Sequence, residues 1–181
     1  MSVLSAIARN LLRQEMRKRA EKKKHRFAIR NHHVGIEVVC RGDWQDTHAP
    51  NLDLQLWSQQ FGVYLSAYGY EMEQVRFHGG AHWLFTIQND QILRKRQNVK
   101  AAEERRTWEN EEKIVFRALY QADYKNTTYL YDCCLVGFKK KEKYIWLLFN
   151  GLPEHVRKNR RVFDQIVNDL VCRGEDVKKG P

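Results

Sequence analysis

The side chains of this 181-residue chain best equipped for chemistry are seven histidines, four cysteines and a few grouped carboxylates. A metal-dependent single-strand endonuclease needs two histidines two residues apart on a strand, so that both point to one face. Here His82 is followed by Trp83 and Leu84, and the second ligand is missing. Tyr120 and Tyr124 are spaced to share a helix face and would serve as its nucleophiles. His32 and His33 are adjacent, so on a strand they face opposite ways, and His78 and His82 flank the Gly79-Gly80 pair. Cys40, Cys133, Cys134 and Cys172 contain no C-x-x-C pair for zinc. Asp43 with Asp46 falls in a loop, Glu109, Glu111 and Glu112 in a charged stretch, and Glu71 with Glu73 alternates on an expected strand. No phosphate-binding G-x-x-x-x-G-K-[ST], no G-x-G-x-x-G and no G-x-S-x-G elbow occurs. The pattern assembles no catalytic residue set, metal site or cofactor site, and leans away from an enzyme.

Charge is more informative once divided along the chain. Residues 1–33 hold ten Lys and Arg against two Glu, whereas the other 22 basic residues meet 20 acidic ones. The basicity is therefore concentrated in an N-terminal arm that includes Arg13, Arg17, Lys18, Arg19, Lys22, Lys23, Lys24 and Arg26. Such an arm suits a phosphate polyanion, because each cation near a phosphate releases condensed counterions. A second patch, Lys139, Lys140, Lys141 and Lys143, forms the tip of an expected hairpin whose strands carry Tyr129 and Tyr131, rings on which bases could stack. A third, Arg157, Lys158, Arg160 and Arg161, opens the last helix. These patches predict a non-enzymatic nucleic-acid-binding protein, RNA or DNA, that grips the phosphate backbone. The alternative is a structural or interaction subunit of a larger ribonucleoprotein or viral assembly, with Trp44, Trp83 and Trp108 as anchors on a protein partner. The endonuclease is a third reading.

Free cysteines and the absence of an apolar leader point to an intracellular, reducing compartment, and the Arg-rich, acid-poor start also fits a mitochondrial presequence. No run of apolar residues is long enough for a membrane span.

The elements that must position these residues follow from periodicity. Val34 to Cys40, VGIEVVC, reads as a strand. Trp57, Phe61, Tyr64, Leu65 and Tyr68, between Pro50 and Gly69, have helical spacing. Glu71–Phe77 and Ala81–Gln88 flank the diglycine as a hairpin. From Asp90 to Lys113 the chain is polar and made of helix formers, and Val115, Ala118, Leu119 and Ala122 extend a helix packed over about 107–123. Thr127–Phe138 and Tyr144–Phe149 form a second hairpin. Pro153 then starts a helix with the stripe Val156, Phe163, Ile166, Val167, Leu170 and Val171, closed by Gly174. The resulting class is α+β: an antiparallel sheet in ferredoxin-like βαββαβ order, extended by a hairpin strand and a C-terminal helix. The basic arm, with its helical apolar pattern, occupies 1–33, the domain 34–174 and a polar tail 175–181.

Overall fold

The structure is a computed structural model, and it describes residues 24–30, 34–77 and 79–173. The expected sites Arg13, Arg17, Lys18, Arg19, Lys22 and Lys23, together with His32, His33, His78, Gly174 and the tail 175–181, lie outside the described residues.

The fold is mixed α+β, with antiparallel sheets and few helices. Ten strands run in chain order as β1 (Lys24–Ala28), β2 (Ile36–Arg41), β3 (Gln45–Asp46), β4 (Leu54–Ser58), β5 (Val63–Glu71), β6 (Gln97–Glu109), β7 (Lys113–Tyr124), β8 (Thr127–Phe138), β9 (Lys143–Gly151) and β10 (Val171–Cys172). Helices α1 (Met72–Phe77) and α2 (Gly80–Leu93) follow β5, and α3 (Pro153–Lys158) and α4 (Arg160–Asn168) follow β9. A seven-stranded sheet has the order β3-β4-β5-β9-β8-β7-β6, and a three-stranded sheet has the order β1-β2-β10.

This arrangement differs from the ferredoxin-like order, and the reason lies in β5 and β7 to β9. Their central residues are buried on both faces, as in the uninterrupted run from Leu130 to Phe138. A strand covered on both sides loses the period-two alternation that identifies it in sequence. In β7 the burial of Val115, Phe116, Ala118 and Leu119 mimics a helical stripe, yet the segment pairs residue by residue with β8, from Lys113 opposite Phe138 to Tyr124 opposite Thr127. The Lys125-Asn126 turn joins them with φ of 49° and 63°, the left-handed conformation that a two-residue hairpin requires. The expected helix over 107–123 is thus the β6–β7 hairpin.

Two further elements exchange type. The helix expected across Trp57 to Tyr68 is the β4–β5 hairpin: Leu54, Leu56, Val63, Leu65 and Ala67 alternate into one core, while Trp57 and Tyr64 sit opposite each other on the other face. Gly62, at φ +66°, turns the chain, and a Cβ there would meet the His155 ring at 2.3 Å. Conversely, Gly79 (φ +103°) caps the start of α2 instead of closing a hairpin, and Leu84, Phe85, Asn89 and Leu93 supply that helix's buried side. Lys24–Ala28, grouped by charge with the arm, pairs with β2 from Lys24 opposite Arg41 to Ala28 opposite Glu37. The strand β2, the β8–β9 hairpin and the C-terminal helical segment lie where the sequence placed them, the last divided at Asn159 into α3 and α4.

One core fills the space between the large sheet and the layer of β1, β2, β10, α3 and α4, with Phe149 and Phe163 stacked at 4.4 Å. The second core lies on the opposite face beneath α2, where Phe85, Phe116, Leu135 and Trp146 meet. Asp132, fully buried within β8, accepts hydrogen bonds from Arg117 Nε at 2.8 Å and Nη2 at 2.7 Å, and Arg117 also pairs with Asp164 of α4. Burial opposes the guanidinium charge, but the hydrogen bonds and charge of Asp132 outweigh it and raise the Arg117 pKa above its ordinary value. Lys113 Nζ donates to the Asn168 and Leu170 carbonyls at 2.7 and 3.2 Å, satisfying backbone groups at and just beyond the end of α4.

Removing one partner of a buried ion pair leaves a desolvated charge. Asp132→Ala is expected to lower stability by about 3–5 kcal/mol in urea unfolding. The double variant Arg117→Met with Asp132→Leu is expected to regain most of that loss, because apolar replacements leave no uncompensated charge.

A candidate docking site of aromatic side chains

Strand register sets a row of side chains across one face of the large sheet. Trp57 of β4 lies opposite Tyr64 of β5, Tyr64 opposite Asn150 of β9, Asn150 opposite Tyr131 of β8, and Tyr131 opposite Tyr120 of β7. Directly opposed residues point to the same face, and this is the face that α1 and α2 cover. The helices sit over Trp146, Leu135 and Phe116, so the end of the sheet carrying Trp57, Tyr64, Tyr124 and Tyr129 is left open.

A concave cavity of about 560 Å³ occupies that end. Trp57 and Tyr64 form one wall, with ring centres 4.5 Å apart, and Tyr129 and Tyr131 form another at 6.4 Å. Asn150, Gln59, Leu152 and His155 complete the lining. Tyr64 and Tyr124 are 39% and 41% exposed, whereas Tyr131 is buried at 3%.

Arg96, in the link between α2 and β6, is the cation of the cavity. Its guanidinium lies over the Tyr124 ring at 4.2 Å, and its Nε donates to the Tyr131 hydroxyl at 2.9 Å. Burial pushes the Tyr131 phenol above its ordinary pKa, and Arg96 pulls it partly back. The phenol is therefore neutral at physiological pH, accepting from Arg96 while keeping its own proton. His155 Nδ1 faces the Gly62 carbonyl at 3.3 Å, which requires the proton on Nδ1 and leaves Nε2 as an acceptor in the neutral ring. Rings, one guanidinium, one imidazole and two amides line the cavity, with no carboxylate among them.

The described residues expected to meet nucleic acid are spread over several elements. Tyr129 and Tyr131 lie at the start of β8 and Lys139, Lys140, Lys141 and Lys143 at or beyond its far end, roughly 25–30 Å along the strand at about 3.3 Å per residue. Tyr144 and Trp146, the other rings of that hairpin, are buried. Lys139 pairs with Glu109 at 2.7 Å, Lys140 and Lys141 are exposed, and Lys143 is half-buried. Lys24 pairs with Asp169 at 3.2 Å and Arg26 with Glu37 at 3.1 Å. Arg160 pairs with Glu103, while Arg157 and Lys158 on α3 and Arg161 on α4 are exposed. Of the expected protein anchors, Trp44 is core at 3% exposure, and Trp83 and Trp108 are 38% and 41% exposed. His82 lies on α2 with Nε2 2.8 Å from Arg105, and Tyr120 and Tyr124 are on β7 instead of a helix. Among the described residues no three His, Cys, Asp or Glu side chains come together as a metal site, and no helix is long and apolar enough to cross a membrane.

Neither a family model nor a curated protein matches the sequence. Solved structures do match its fold. Cyanobacterial PsbP (CyanoP) from Synechocystis sp. PCC 6803 is similar over 83% of this chain and 92% of its own, with TM-score 0.54 and 11% identity. The Ran-binding protein Mog1p of Saccharomyces cerevisiae is similar over 84% of this chain and 97% of its own, with TM-score 0.52 and 12% identity. A mutant of Mog1 gives TM-score 0.54 at 11% identity over the same shares. These neighbours correct the nucleic-acid reading, since they are a PsbP protein and a Ran-binding protein, and the lysines of the hairpin tip lie far from Tyr129 and Tyr131.

The Arg96–Tyr131 contact has a spectroscopic signature. Since Arg96 lowers the Tyr131 pKa, Arg96→Met is expected to move one tyrosine transition to higher pH in an absorbance titration at alkaline pH, and a titration identical to wild type would refute the contact. The chain described here shares the fold of the PsbP and Mog1 structures.

Proposed function

We propose that this chain is a protein-binding domain that docks its partner on the open aromatic end of the helix-bearing face. The observation that carries this reading is the meeting of Trp57, Tyr64, Tyr124, Tyr129 and Arg96 around one concave surface. Trp, Tyr and Arg dominate the energetics of protein interfaces because they bury much area and retain a polar handle. The fold likeness to a Ran-binding protein supports a protein partner. The open rings would lose water on docking, which is a favourable term of about 25 cal/mol per Å² of apolar surface.

A photo-crosslinking amino acid placed at Tyr64 or Tyr129 in the full chain, expressed in its native cells, tests this. The same partner protein should crosslink from both positions and not from Trp108 or Lys140. Binding of that purified partner should weaken by about 2 kcal/mol, roughly thirtyfold, in Trp57→Ala. Equal crosslinking from all four positions, or unchanged affinity in Trp57→Ala, overturns the proposal.

A further inference from the structure

The cavity also specifies what the partner must present. We infer that Arg96 is the receptor for a carboxylate, so that the docked segment carries an acidic residue beside an aromatic or aliphatic one; this deepens the docking reading above and rests on it.

Among the described residues, Arg96 differs from the other arginines without a carboxylate partner, Arg41, Arg94, Arg105, Arg157 and Arg161, which are exposed. Arg26, Arg30, Arg76, Arg106, Arg117, Arg160 and Arg173 each pair with a carboxylate. Arg96 pairs with none among the described residues, although it is half-buried. It is nonetheless held in place: Tyr124 lies beneath its plane, Tyr131 takes its Nε proton, and its Nη1 has only the Lys95 carbonyl at 3.4 Å. A guanidinium fixed at one edge and stacked on a ring keeps its remaining donors for an incoming anion, and little side-chain freedom is left to lose on binding. The neighbouring acid, Asp123, is engaged elsewhere, accepting from Asn98 at 2.7 Å and from Thr128 at 2.6 Å.

The surroundings select the kind of anion. The apolar walls Trp57, Tyr64 and Tyr129 lower the local dielectric, which strengthens a guanidinium–carboxylate contact. They also supply a slot for a ring or aliphatic side chain next to the charge. The neutral Tyr131 hydroxyl adds a donor. Dianionic phosphate groups are recognised by clusters of cations, and Arg96 is the one Lys or Arg in this lining. A volume of about 560 Å³ accommodates one or two side chains of a peptide, within the usual range for such sites.

A random-peptide phage library selected on the full chain supplies the probe. Enriched peptides should share a Glu or Asp next to an aromatic or aliphatic residue. Their Kd should rise at least tenfold in Arg96→Met, compared at a temperature where thermal unfolding shows both proteins folded, since the variant also loses the Tyr131 hydrogen bond. The decisive arm is charge reversal: Arg96→Glu should abolish binding of the acidic peptide and accept the same peptide with its Glu changed to Lys. Peptides that lose affinity in Trp57→Ala, yet lack an acidic residue or bind Arg96→Met unchanged, overturn the carboxylate and leave the docking surface standing. A phosphopeptide version binding tenfold more tightly than the acidic one also overturns it. Peptides indifferent to both Trp57→Ala and Tyr129→Ala overturn the docking surface itself.

Discussion

The sheet at the centre of this molecule must be covered on both faces, and the two covering layers are of unequal reach. β8 alone has 12 residues, about 40 Å of strand. On one side, β1, β2, β10, α3 and α4 seal the sheet. On the other, α2 has 14 residues, about 21 Å of helix, and α1 adds only 6 more. A helix layer of that length leaves part of the face uncovered whatever its direction. Leu or Val there would expose an apolar patch. Trp57, Tyr64, Tyr124 and Tyr129 tolerate half-exposure, because each has a polar atom to present to water and a ring to pack on its neighbour. The binding surface is thus a consequence of incomplete layering.

Several basic side chains of the body hold the layers together. Arg117 joins β7, β8 and α4 through Asp132 and Asp164, Lys113 satisfies carbonyls at the end of α4, and Arg160 fastens α4 to β6 through Glu103. Arg105 stacks on Phe85 at 4.6 Å while reaching His82 and Thr86, so β6 is also tied to α2. Of the cations expected to form a contact surface for a polyanion, Lys24, Arg26, Lys139 and Arg160 are paired with carboxylates, while Lys140, Lys141, Arg157, Lys158 and Arg161 are exposed on separate elements. Clusters along the sequence disperse in space, and the carboxylates that balance them come from other elements. Net charge describes long-range fields, not which individual cations are unpaired.

The parts legible in the sequence were those whose local signal agreed with their burial. β2 is a short β-branched run, β8 and β9 are strongly apolar on either side of a lysine turn, and Pro153 opens a segment with a consistent apolar stripe. Where local signal and burial conflict, the reading failed. Trp57, Phe61, Tyr64, Leu65 and Tyr68 have helical spacing only because rings on one face of a hairpin and aliphatics on the other interleave by chance. Asp90 to Lys113 is rich in helix formers, but β6 is an exposed edge, where charge is favoured for keeping sheets from pairing with one another. Of the site, the sequence marks Tyr129 and Tyr131, whereas spacing puts Trp57 and Tyr64 on a helix stripe and no local pattern marks Arg96. No spacing in the sequence joins these residues, because pairing of β4, β5, β9, β8 and β7 brings them to one face.

The position of Arg96 gives the site its mechanical character. It sits where α2 ends and β6 begins, with its backbone N–H on the Leu93 carbonyl at 2.9 Å, so the guanidinium is anchored from the helix layer while it rests on rings of the sheet. A cation over an aromatic face is partly stabilised before any anion arrives, which lets it remain half-buried without a carboxylate of its own. Had the described residues supplied one, the pair would be satisfied and the cavity would have nothing to offer a charged partner. Leaving Arg96 half-buried and stacked but without a carboxylate, in a body where seven other arginines are paired, keeps the full gain of a charge-assisted contact for the moment of docking. The aromatic walls then discriminate by shape and the guanidinium by sign, and neither could do so if the helix layer reached the end of the sheet.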